Sequence, residues 1–264
     1  MKRQSTYQAD LRSFVLVCRQ WLHLGRRIMY GNIALTNTAL GLFITSFNTA
    51  AYSKAVHSLS LRIGKDWQTE GERSLCSDTW VEDSLAGFVF ILPQLNNLAS
   101  FSLRLELSGC SIPRATRAGL LKNMPSTCRH LEIDTRGQDH REPHEQLHVC
   151  DALRQVLPQL HHVRIRIGAM CCAMLGTGKI SPDVIGNWNL DEFTPVALPN
   201  LKSLVLNCGL PHGPQMQLCG QNDWTTSAKH SSWQFGVAWS SITPALLCLI
   251  KARSGALRVA KYML

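Results

Sequence analysis

The sequence predicts an α/β fold with a parallel sheet, stacked from repeated strand and helix units, and three observations lead to it. One short phrase, apolar-x-x-apolar-x-apolar, is used five times; the stretches between its copies carry apolar residues at helical spacing; and a proline closes three of those stretches. The copies are VHSLSL at 56, LASFSL at 98, CRHLEI at 128, LHHVRI at 160 and LKSLVL at 201, at intervals of 42, 30, 32 and 41 residues.

The last two apolar positions of each copy alternate with polar or basic neighbours, the period of a strand with one buried face. Leu61, Leu103, Ile133, Ile165 and Leu206 are expected side by side in one sheet. After the first copy, Val81, Leu85, Phe88, Val89 and Leu92 mark a helix ending before Pro93. After the second, Ser111 caps a helix with Pro113 in its first turn and Ala118, Leu121 and Met124 on one face, ended by Pro125. After the third, Val149, Leu153, Val156 and Leu157 stop at Pro158. The connection from 169 to 198 contains Gly and Pro and reads as loop with at most a short helix. Strand, helix and strand in this order require parallel strands joined by right-handed crossovers. A compact doubly wound α/β domain is the alternative.

The chain has 264 residues, 45% hydrophobic and 17% charged, enough for one to two globular domains. The N-terminus has no secretory apolar run, and ITPALLCLI at 242 to 250 is about half the ~20 residues that span a bilayer. The ten cysteines lie mainly in apolar runs, and no Asn-x-Ser/Thr sequon occurs. Buried thiols in the cytoplasm or nucleus are expected, with no membrane contact.

The net charge of +9 sits at the ends: +5 in residues 1 to 35, +4 in 209 to 264, and none over the 173 residues between. A phosphate-tracking groove needs positive charge on the body of the fold, so no nucleic acid is expected. The basic ends favour an acidic protein partner or serve solubility.

No catalytic, cofactor or metal residue is expected, and the protein is read as a non-enzyme. His140, His144 and His148 are spaced for one helical face near Cys150, which leaves a zinc-dependent enzyme as the weakest rival. Pro143 starts the helix there and leaves His140 in the preceding loop, so solvent-facing histidines are the better reading. GTGK at 176 is similar to a phosphate loop but has Ala173 at the glycine position and Ile180 at the hydroxyl position. Cys171 and Cys172 lack electropositive neighbours, and no Gly-x-Ser-x-Gly elbow is present.

The repeated phrase over 56 to 208 resembles leucine-rich repeats, in the irregular form of many fungal proteins; Asn207 alone stands for the family's ladder asparagine. Upstream, LRSFVLVCRQWLHLGRRIMYGNIAL resembles the second half of an F-box, with Leu16, Val17, Cys18, Arg19, Trp21 and Tyr30 at the matching positions. The first half, a Leu-Pro phrase and an acidic-apolar helix, has no counterpart in MKRQSTYQA. This helix carries two apolar lines. One includes Leu11, Phe14, Val15 and Cys18; the other includes Val17, Trp21, Leu24 and Ile28. The resemblance implies a substrate adaptor of a cullin-RING ubiquitin ligase: the F-box-like residues Leu11, Leu16, Val17, Cys18, Trp21 and Leu24 hold a Skp-family linker, and the repeats hold a protein substrate not named by the sequence. A repeat scaffold without a ligase link, its N-terminal helix a mere end cap, is the alternative. The expected division is a partial F-box-like helical segment at 1–35, a leucine-rich-repeat-like α/β region at 36–208 and an irregular tail at 209–264.

Overall fold

The structure, a computed structural model, describes residues 24–25, 28–64, 78–106, 112–136, 149–167, 170, 172–177, 181–182, 188–189, 192–207, 245–246, 248–249 and 258–261. All five copies of the phrase become strands: β2 (Ser58–Ile63), β3 (Ser100–Leu105), β4 (His130–Asp134), β5 (His162–Arg166) and, past the short pieces below, β10 (Ser203–Asn207). Ahead of them lies β1 (Asn32–Leu35), and β11 (Arg258–Lys261) closes the far edge. The sheet has seven strands in the order β1-β2-β3-β4-β5-β10-β11, and every pairing is parallel. The order contains no reversal, the feature on which a doubly wound sheet is built.

Register follows the phrase. Leu61, Leu103, Ile133, Ile165 and Leu206 are partners from strand to strand, as are Leu59, Phe101, Leu131, Val163 and Leu204. All ten are buried, because alternate residues of each strand face one core. The phrase's first residue, Val56, Leu98, Cys128, Leu160 or Leu201, is buried too, and beside it the chain turns into the strand. There the carbonyls of His57, Ala99, Arg129 and His161 each accept two N–H bonds from the next unit, so one backbone ladder recurs at every step.

The helices are α1 (Asn37–Ser46), α2 (Thr49–Tyr52), α3 (Asp78–Ile91), α4 (Arg114–Lys122) and α5 (Val149–Val156). Side chains of α4 and α5, among them Leu120, Leu121, Val149 and Leu153, meet Phe101, Leu103 and Ile133 of the sheet. Helices α1, α3, α4 and α5 pack in chain order. Phe43 of α1 lies 6.3 Å from Phe88 of α3, and Gly119 of α4 comes close to Val89 of α3. Prolines 93 and 158 do more than stop helices. Each lies in a 3-10 turn, Leu92–Gln94 or Leu157–Gln159, that leads toward the next strand. A proline early in such a turn gives up an N–H that had no partner anyway.

Several regions depart from expectation. β1 and α1 form a strand and helix unit ahead of the first copy: Ile33 and Leu35 partner Leu59 and Leu61, so 32–35, at the end of the expected helical segment 1–35, is strand. From the tail expected to be irregular, Arg258–Lys261 forms β11 beside β10, and Ala245, Leu246 and Leu249 are buried. The connection after β5 shows a 3-10 turn, Cys172–Met174, and four two-residue strands: β6 (Gly176–Thr177), β7 (Ser181–Pro182), β8 (Trp188–Asn189) and β9 (Thr194–Pro195). β6 pairs with β9 and β7 with β8, both antiparallel. Met170, Met174, Leu175, Phe193 and Leu198 fill the core there. Arg154 of α5 ties this loop down, donating to the carbonyls of Ala173 (2.8 Å) and Gly176 (3.1 Å) while bridging Asp151.

Among the described residues no helix is long and apolar enough to cross a membrane. Cys128 and Cys150 are buried, and burial pushes the Cys128 thiol up to about 11.

Candidate functional site

The residues that alternate with the core positions form a polar sheet face, exposed or half-buried along its length. Register sorts them into three columns across the strands. The first runs Ser58, Ser100, His130, His162, Ser203; the second Ser60, Ser102, Glu132, Arg164, Val205; the third Arg62, Arg104, Asp134, Arg166, Asn207. All-parallel sheets normally read as continuous apolar runs covered on both faces. These strands alternate instead, so their second face is made for polar contact.

The β4 and β5 side of the face is knitted together. The His130 and His162 rings stack 4.8 Å apart, 4° from parallel, and His162 Nδ1 lies 2.8 Å from the Ser203 hydroxyl. Partial burial, then His162 and Lys202, hold His130 below the ordinary imidazole range. His161 is lowered as well, first by desolvation and then by Lys202 and Arg129. Arg164 pairs with Glu132 at 3.4 Å, and Ser102 donates to the same carboxylate at 3.3 Å. Arg166 Nε lies 3.9 Å from Asp134, which also accepts the Arg136 N–H at 2.9 Å. The β2 and β3 side is different. It offers four serines and two exposed arginines, Arg62 and Arg104, directly opposite each other.

A second surface lies at the N-terminal end. Leu24 is 55% exposed and Ile28 63% exposed. Tyr30 stacks on Tyr52 of α2 with ring centroids 4.2 Å apart and leads through Gly31 into β1. Of the residues expected to hold a linker, Leu11, Leu16, Val17, Cys18 and Trp21 lie outside the described residues, and Leu24 alone is placed.

His140, His144 and His148 also lie outside the described residues, and among those described no group of three or more His, Cys, Asp or Glu could hold a metal ion. Of GTGK, Gly176 and Thr177 form β6, and the other two residues lie outside the description. The sequence reading overlooked the stacked histidines and the arginine pair. Its available signal was the likeness of SLSLRI in β2 to SFSLRL in β3. No protein-family model matches the chain, and no curated protein matches it.

Proposed function

We propose that this chain is a non-enzymatic protein-interaction module of the cytoplasm or nucleus: an irregular leucine-rich-repeat-like solenoid joined to an F-box-like segment. In this reading the polar sheet face holds a substrate protein. The segment around Trp21 and Leu24 docks a Skp-family linker, and the chain acts as a substrate adaptor for cullin-RING ubiquitin ligation. The observation that carries the proposal is the strand order, seven parallel strands in sequence order, of which β2, β3, β4, β5 and β10 have one buried face and one exposed or half-buried, mostly polar face. Such an order adds one strand and helix unit at a time, as solenoids do, and presents the alternate side chains of every unit on one continuous surface.

Exposure of Leu24 and Ile28 supports the linker arm. A helix that merely caps the first unit would turn these residues onto it, whereas both keep more than half of their surface open. Burying them against a partner would contribute roughly 1–2 kcal/mol each, which in favourable geometry supports micromolar binding when added to neighbouring apolar residues.

The test is a pull-down of a purified Skp-family linker by the whole chain, compared with a Trp21→Ala, Leu24→Ala double variant. Binding weaker by at least about tenfold in the variant is expected. No binding by the unaltered chain at about 100 micromolar leaves a repeat scaffold without a ligase link as the function.

A further inference from the structure

We infer that the Arg62 and Arg104 end of the polar face is a docking site for an acidic peptide segment of a partner protein, a conclusion that rests on reading this face as protein-binding. β2 (SLSLRI) and β3 (SFSLRL) are near copies, paired Ser58 to Ser100, Ser60 to Ser102 and Arg62 to Arg104. Alternate residues share a face, so two rows of serine, serine, arginine lie side by side, about 4.8 Å apart. The serines make a low floor of hydroxyls, and both arginines at its end are exposed.

Neither arginine forms an ion pair among the described residues, where the charge pairs on this face are Arg164 with Glu132 and Arg166 with Asp134. Glu106, the next residue of β3's polar face, is half-buried against Gly64. Like charges directly opposite on neighbouring strands repel, and Asp134, which lies opposite Arg104 on its other side, is engaged by Arg166 and the Arg136 N–H and forms no ion pair with Arg104. An oxyanion reaching both forks relieves that repulsion and gains charge-assisted hydrogen bonds.

The rest of the face selects the anion. Toward β4 and β5 the cations are matched by Glu132 and Asp134, which place carboxylates in the middle of the sheet. A nucleic-acid backbone crossing the strands would run its phosphates over them. A short cluster of Asp or Glu side chains meets the two arginines and the hydroxyls of Ser58, Ser60 and Ser100, Ser102 being taken by Glu132, and the remainder of its chain passes over a neutralised surface.

Fluorescence anisotropy of the full chain decides the matter, using a labelled oligoglutamate of about twelve residues, an oligoglutamine of the same length and a single-stranded oligonucleotide of similar charge, at about 50 mM salt. The oligoglutamate should bind more tightly than the other two. Arg62→Gln with Arg104→Gln should weaken it about tenfold, and Lys202→Gln, on the turn before β10, less than about twofold. Undiminished binding by the double variant, an equal loss with Lys202→Gln, or tighter binding of the oligonucleotide would overturn the inference. Linker capture depends on Trp21 and Leu24 instead, so this inference and the ligase arm of the proposed function fail separately.

Discussion

Replacing Asn37 by alanine should cost about 2–4 kcal/mol, because its side chain locks the first strand and helix unit to the second. Asn37 opens α1 and is only 1% exposed. Its amide serves both backbone groups of Gly64, the buried residue just after β2: the Gly64 N–H donates to Oδ1 at 3.1 Å, and Nδ2 donates to the Gly64 carbonyl. A neutral hydrogen bond contributes about 1 kcal/mol net, and each buried group left without a partner costs about 1–3 kcal/mol. Alanine removes two bonds and strands two backbone groups, a large share of the 5–15 kcal/mol typical of a folded domain. Urea unfolding followed by circular dichroism measures it, with an unchanged denaturant slope as the sign that only stability has moved. Aspartate at position 37 sharpens the test. One oxygen still accepts the Gly64 N–H, but the other faces a carbonyl, so burial and that carbonyl raise the folded-state carboxyl above its unfolded value near ~3.9. A raised value means stability present below about pH 4 and lost as the pH climbs through the folded value. Asn37→Asp should therefore approach the unaltered chain near pH 4 and fall well below it at pH 7. An alanine variant within about 0.5 kcal/mol of the original, or an aspartate variant with no pH dependence, would show that the amide does not clamp the two units.

Two further outcomes are expected. Gly176→Ala should destabilise by about 1–3 kcal/mol, since an added Cβ would strike the Phe193 ring and the Thr194 carbonyl where β6 meets β9; a thermal unfolding midpoint within a degree or so of the original would contradict the close approach. His130 is held below its ordinary value, so its neutral form is favoured by folding, stability is full above about pH 6.5, and it declines as the pH falls below that value toward the lowered one. His130→Gln should flatten the drop in unfolding midpoint between about pH 7.5 and 5, and an equal drop in both proteins would assign the pH dependence to other groups.

The sheet was legible because a half-buried strand writes its period into the sequence: Leu59 and Leu61, or Val163 and Ile165, are apolar where their neighbours are polar. The first unit was not. Ile33 and Leu35 follow an apolar run with only Gly31 and Asn32 between, and NTALGLFITS of α1 carries no charge to mark a solvent side. In the connection after β5, Met170, Met174, Leu175, Phe193 and Leu198 are buried by irregular backbone, and irregular packing leaves no period to find. The candidate site was hidden for another reason. Net charge over 36–208 is zero because sixteen cations face sixteen anions. That total says nothing about register, and register alone sets Arg62 beside Arg104 while Glu132 goes to Arg164.

The same register bears on why this face tolerates water. A parallel sheet whose strands were apolar on both sides would need a second layer of cover, and an exposed second face would be sticky along its whole width. Here the second face of β2 to β5 is built from serine, histidine, arginine and carboxylate, with like residues opposite each other between β2 and β3 and opposite charges facing each other between β4 and β5. Where these neighbours meet each other, as in the stacked histidines and the pairs around Glu132 and Asp134, each charge already has a counter-charge and an incoming ligand gains little. Arg62 and Arg104 repel each other, and Asp134, opposite Arg104 on the other side, is shared with Arg166 and the Arg136 N–H, so an anion bound there relieves repulsion as well as adding a contact. Affinity should therefore concentrate at the β2 and β3 end, although the polar face extends much further.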